Sequence, residues 1–328
     1  MTTGLAITAV ITVLAIIDIL GNTLVCAIIK RNRDMRTPIN YLLVHLAVAD
    51  IVYATFIAPK GYFKLTSVHH PDGMTGLVLC KLLTGGNVAW VGAVASAIFL
   101  VVIAFERYYA VMYPHGHKWK LSTAKLKMII PGSWIFAGIV NIPLFLAKNT
   151  KVKNGRVLCI PTWPEIWMEA FIMILSVVVG VALVLMIALY SRVVYTLWFQ
   201  RKDEHQLNIQ QKGVMKVRRR VTLMVVVVTA IFGFCWGVNQ IVHIFKFFSS
   251  YTVGALPTVV ANTMVLVNSA INPFVFALLN HQFREKMKVM LCCRDCTKAK
   301  VHPSDYHDYE LGDNTTQPTN TGGTSSMA

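Results

Sequence analysis

The stretch VVIAFERYYAV, residues 101–111, closes a long apolar run with a carboxylate and a guanidinium side by side, Glu106 and Arg107. The run behind it, residues 81–108, is long and apolar enough to cross a bilayer, which takes about 20 residues. The same reading of the rest of the chain finds six more spans, near residues 4–29, 39–62, 128–147, 167–196, 219–245 and 253–279. Across 328 residues, 55% are hydrophobic and only 14% charged, with a mean hydropathy of +0.56. Together these exclude a soluble domain and predict an all-α membrane protein, a bundle of seven transmembrane helices. The first run exceeds a secretory h-region and has no basic segment before it, so it reads as a span rather than a cleaved leader.

A net charge of +16 suggests nucleic acid until the basic residues are placed. With the N-terminus outside, the connections after the first, third and fifth spans and the C-terminal tail carry 23 of the 31 basic residues, and the other side carries 8. That is the positive-inside pattern. It puts the C-terminus in the cytoplasm, makes anionic membrane lipid the partner of the basic face, and leaves no call for nucleic acid. Cys80, at the outer mouth of the third span, and Cys159, after the fourth, both lie on the oxidising side and are the expected disulfide. Cys292, Cys293 and Cys296 follow the last span on the cytoplasmic side, where palmitoylation is the functional reading and reduced thiols the plain one. Just before them, HQFREKMKVML repeats Phe283, Met287, Met290 and Leu291 at helical spacing, which predicts a short amphipathic helix on the membrane surface. The expected organisation is a membrane domain over residues 1–290 and a mostly disordered tail over 291–328, which is too polar to bury a core.

An ionisable group inside a span costs about 2.5–3.5 kcal/mol on insertion scales, so it suggests a functional site. Asp50, within LLVHLAVADIVYATF, is the clearest case. Asn22, Ser96, Asn268, Ser269 and Asn272 are further polar residues in spans. Convergence on Asp50 would make either a small-cation site with oxygen ligands or a structural hydrogen-bond network.

Six motifs fall in order on these spans: Gly21-Asn22, LAVAD ending at Asp50, Glu106-Arg107-Tyr108, Trp134, FGFCW ending at Trp236, and NSAINPFVF from Asn268 to Phe276. From about residue 10 to 295 the chain resembles the rhodopsin-like (class A) G-protein-coupled receptors, with a peptide-receptor character. The resemblance implies that Glu106 restrains Arg107 at the cytoplasmic boundary until Arg107 turns toward a heterotrimeric G protein, with arrestin a further partner. It implies that Asp50, Ser96, Asn268, Ser269 and Asn272 hold sodium as an allosteric ion, with no other cofactor. Trp236, Phe232, Tyr108, Tyr190, Asn272, Pro273 and Phe276 would belong to the activation switch. Localisation would be the plasma membrane.

Departures from the family pattern accompany it. Val238 stands where the sixth span usually has proline, so any bend must come from elsewhere, with Gly233 or Gly237 as candidates. The fifth span has Gly180 and Ala182 near its missing proline, and Phe276 replaces a tyrosine. Cys80 lies 27 residues before Arg107, two more than usual, which calls for a bulge in the third span or a shifted disulfide. Arg218, opposite Arg107, is basic, so the second half of the family's ionic lock is missing and basal activity should be higher. An atypical, non-coupling member is one alternative.

Ala89 replaces the aspartate of amine receptors and Leu266 the lysine of opsins, which removes both ligand chemistries. Lys60, Trp90, Asn239, Gln240, His243 and Asn262 remain as pocket residues. The segment AKNTKVKNGRVLCIPTW reads as a basic hairpin turning at Asn154-Gly155; peptide receptors of the family often have such a hairpin, so the resemblance implies an extracellular peptide, preferably with acidic groups, over a lipid or other small molecule. A transporter or channel would need repeated halves, broken helices or several charged residues in spans, and none of these is evident; an enzyme would need a cluster such as H-E-x-x-H, for which His45, His243 and Asp50 are too scattered.

Overall fold

The computed structural model describes residues 2–66, 70–113, 121–153, 156–200, 209–248 and 255–291. Asn154-Gly155, the three juxtamembrane cysteines and the tail therefore lie outside the described residues, as does the side chain of Lys60.

All seven expected spans are helical and long enough to cross a membrane. They comprise α1 (Thr2–Arg31), α2 (Pro38–Thr66), a compound third span, α5 (Thr123–Ala147), α6 (Glu165–Tyr195), α7 (Ile209–Phe248) and α8 (Ala255–Leu279). The third span consists of α3 (Gly73–Leu79), one wide π turn (Cys80–Thr84) and α4 (Asn87–Met112). Local signals set several ends. α1 stops on Lys30 and Arg31, whose charges suit the carbonyl end of a helix. Pro38 opens α2, where its missing N–H is harmless. Ser122 caps α5 by accepting from the Lys125 backbone N–H at 3.3 Å.

The helices form a ring in which α2 packs on α1, α4 and α8, α7 lies between α6 and α8, and α5 packs against α4. α6 turns Ile174, Val177, Val181 and Val184 outward at 63–67% exposure, an apolar face that only lipid can cover. Small residues bring backbones close. A Cβ on Gly92 would sit 2.7 Å from the Ala49 carbonyl oxygen, and one on Gly21 would sit 2.9 Å from Pro273 Cγ. These approaches join α4 to α2 and α1 to α8.

The extra residues between Cys80 and Arg107 are taken up by a bulge. The π turn and Gly86, at φ 74°, widen the helix just after Cys80. Cys80 and Cys159 are then bonded at an ordinary Cα separation of 5.3 Å. Cys159 lies on β2 (Arg156–Pro161), paired antiparallel with β1 (Lys148–Lys153) so that Thr150 faces Cys159.

The sixth span differs from expectation. α7 is a continuous α-helix, ten residues longer at its start than the apolar count suggests, because its first turns are polar and run beyond the apolar stretch. It shows no break at Gly233 or Gly237. Gly233 instead admits α6, with Leu183 Cδ1 3.1 Å from where a Cβ would stand, while a Cβ on Gly237 would meet open space. After α8, Asn280 Oδ1 accepts from the Phe283 N–H at 3.2 Å and starts α9 (His281–Leu291). Phe283, Met287 and Met290 of α9 pack on the core, and Lys286 Nζ lies 3.1 Å from Asp34 Oδ2 in the link between α1 and α2.

Candidate functional site

At one end of the bundle, α4 carries the Glu106–Arg107 pair. Arg107 Nη2 donates to Glu106 Oε1 at 2.6 Å and its Nε to Oε2, a two-pronged pair with both side chains only 11% exposed. Tyr108 packs on a small apolar cluster of Val111, Val193, Leu197 and Met215 that joins α4, α6 and α7. Tyr190 is buried beside Thr229 and within electrostatic reach of Arg107. Phe276 is buried edge-on against Phe283 at 6.4 Å, so the missing hydroxyl is replaced by aromatic packing against α9.

In mid-bundle, Asp50 accepts from Ser96 Oγ and from Asn272 Nδ2, both at 2.8 Å. The close approach at Gly92, one turn before Ser96, is what lets α4 reach the carboxylate. Asn268 and Ser269 are also buried. Asn268 Oδ1 has no partner, and Ser269 Oγ donates to the Val265 carbonyl at 3.4 Å. Pro273 follows Asn272 inside α8, against Gly21.

Above this cluster, toward the disulfide, lies a cavity of about 650 Å³. Trp90, Asn239, Gln240, His243 and Asn262 all line it. An aromatic series leads inward: Tyr53 meets Trp90 at 6.2 Å, Trp90 meets Trp236 at 6.3 Å, and Trp236 meets Phe232 at 5.5 Å. In the cavity wall, Glu169 of α6 is buried and paired through Oε1 with Lys246 of α7, and its Oε2 stands 3.9 Å from His243 Nδ1. Glu169 Oε2, Gln240 Oε1, Asn262 Oδ1 and Asn239 Nδ2 have no hydrogen-bond partner.

The sequence matches the description "7 transmembrane receptor (rhodopsin family)" over residues 21–276. The chain belongs to this family of receptors. It is therefore a multi-pass membrane receptor of the rhodopsin-like class, and not an enzyme. The receptor is 27% identical over 292 residues to the mouse "Pyroglutamylated RF-amide peptide receptor", covering 83% of this chain and 66% of that one, just under two thirds. It is 26% identical to the Drosophila melanogaster "Tachykinin-like peptides receptor 86C", over 84% of this chain and 56% of the relative. It is 28% identical to the Meriones unguiculatus "Substance-P receptor", over 92% and 74%.

Three residues of the receptor's interior escape the sequence reading. Asp18, Glu169 and Lys246 lie in or beside spans, and both carboxylates are buried. The expectation that spans lack further charged residues is therefore corrected: Asp50 is one of at least three. The rule that singles out Asp50 applies equally to Asp18 and Glu169, so the signal was present in the sequence.

Proposed function

We propose that this receptor binds an extracellular peptide in the cavity beneath the hairpin and, on binding, catalyses nucleotide exchange on a heterotrimeric G protein at its cytoplasmic Arg107 end. The observation that carries this reading is the cavity itself, polar toward the disulfide and joined through Trp90, Trp236 and Phe232 to the bundle interior. The relatives named for RF-amide, tachykinin-like and substance P peptides support a peptide over a lipid or other small molecule. In orientation, the basic connections face the cytoplasm, the disulfide faces outside, and the membrane is the plasma membrane. The cysteines after α9 take palmitate, and arrestin uses the same cytoplasmic face as the G protein.

A ligand seated between α6 and α7 acts on both through Glu169, Lys246 and Asn239. Pressing on Trp236 and Phe232 moves α7 against α4, and the loosened packing lets Arg107 leave Glu106. Asp50, Ser96, Asn268, Ser269 and Asn272 would hold a sodium ion, whose charge would favour the state in which these helices stay together. The unpartnered cavity atoms are mostly acceptors, which suits an N–H-rich group of the peptide, while Lys148 and its neighbours on the hairpin meet acidic ones.

Pooled peptides and pooled lipids, applied to cells carrying a sensor for each G-protein class, test the ligand class. A peptide fraction should give the response. With that peptide, Glu169→Gln should lower potency about 10- to 100-fold, the size of one charge-assisted hydrogen bond. A response from lipid pools alone would replace the peptide reading.

A further inference from the structure

We infer that Asp18 is a second carboxylate of the cation cluster at Asp50, so that the receptor binds a hard cation with two acidic side chains, one from α1 and one from α2. Asp18 is fully buried, one turn before Asn22. Its Oδ1 accepts from Asn22 Nδ2 at 2.7 Å, and the same Nδ2 lies 3.4 Å from the Ser269 carbonyl oxygen of α8. The close contact of Gly21 with Pro273 presses α1 onto α8 at this level. Asp18 and Asp50 are within electrostatic reach of each other. Among the described residues, the ion pairs give neither of them a basic partner.

The unsatisfied atoms around the two carboxylates are all of one kind. Asp18 Oδ2, Asn22 Oδ1 and Asn272 Oδ1 are buried without partners, and every one is an oxygen acceptor. Asn22 and Asn272 each spend their Nδ2 on one of the two carboxylates, which leaves their oxygens beside it. Buried acceptors without donors are costly, and two like charges without a counter-charge more so. A hard cation relieves both, because it takes oxygen ligands and supplies the missing charge. Water would satisfy acceptors but bring no charge.

The inference rests on the cation reading of Asp50, and one experiment separates them. The full-length receptor, purified in nanodiscs, is melted at increasing sodium chloride with choline chloride holding ionic strength constant. The wild type should gain thermal stability with sodium. Asp50→Asn should flatten that curve, and Asp18→Asn should move its midpoint at least tenfold to higher sodium. A purely structural Asp18 would leave the sodium curve where it is; that result, with Asp50→Asn flattened, overturns the role of Asp18 and leaves Asp50 standing. No sodium response in the wild type overturns both. If Asp18→Asn does not fold, Asp18→Glu is read instead: a midpoint moved at least threefold supports the role, and a curve superimposed on the wild type overturns it.

Discussion

Replacing Glu106 with glutamine will raise signalling in the absence of ligand by about five- to tenfold. The Glu106 carboxylate holds both prongs of the Arg107 guanidinium, and the pair is largely shielded from water. Glutamine keeps the length and one acceptor but removes the charge, so of the roughly 1.5–3 kcal/mol in such bonds about half remains. A loss of about 1–1.4 kcal/mol shifts the balance between resting and active states by that five- to tenfold. Ligand potency should improve in the same variant, since less binding energy is spent on releasing Arg107. The readout is G-protein dissociation without ligand, at matched surface expression. An unchanged basal signal would place the restraint of Arg107 elsewhere.

Replacing Cys80 with serine will remove most receptor from the cell surface and weaken ligand binding in what remains. The disulfide closes a loop of 79 residues, and such a link contributes about 2–5 kcal/mol. It also fixes β2 to the π turn within the third span, and Pro161, the last residue of β2, lines the cavity with Gly85 beside that turn. Loss of the bond therefore acts on the pocket as well as on the fold. Cys159→Ser and the double variant should match Cys80→Ser, because each removes the same bond. Surface labelling and thermal melting check this; near-normal melting of the double variant would show that packing alone holds the hairpin.

The seven helices were legible because a membrane span must be long and apolar wherever it occurs in the chain. Their ends were less so. Counting from residue 81 misses α3, since Gly73–Leu79 is helical only as a continuation through the π turn. The start of α7 was missed because its first turns are polar. Trp90, Asn239, Gln240, His243 and Asn262, expected as pocket residues, line the cavity. Glu169 was passed over although a carboxylate inside a span is itself a signal; what needed the fold was its pairing with Lys246, 77 residues away on another helix. Asp18 was passed over because the first span was read for its length, and its link to Asp50 runs through Asn22 and α8, which only folding brings together.

Nucleotide exchange on purified G-protein heterotrimers is the most direct test of a receptor that couples through Arg107. Wild type and Arg107→Ala, in the same nanodiscs, would be compared with and without the active peptide fraction. The account predicts exchange by the wild type that peptide accelerates, and in Arg107→Ala a loss of about a hundredfold or more with peptide binding retained. Peptide-stimulated exchange that persists in Arg107→Ala, or a wild type that binds peptide yet exchanges no nucleotide on any G-protein class, would contradict it.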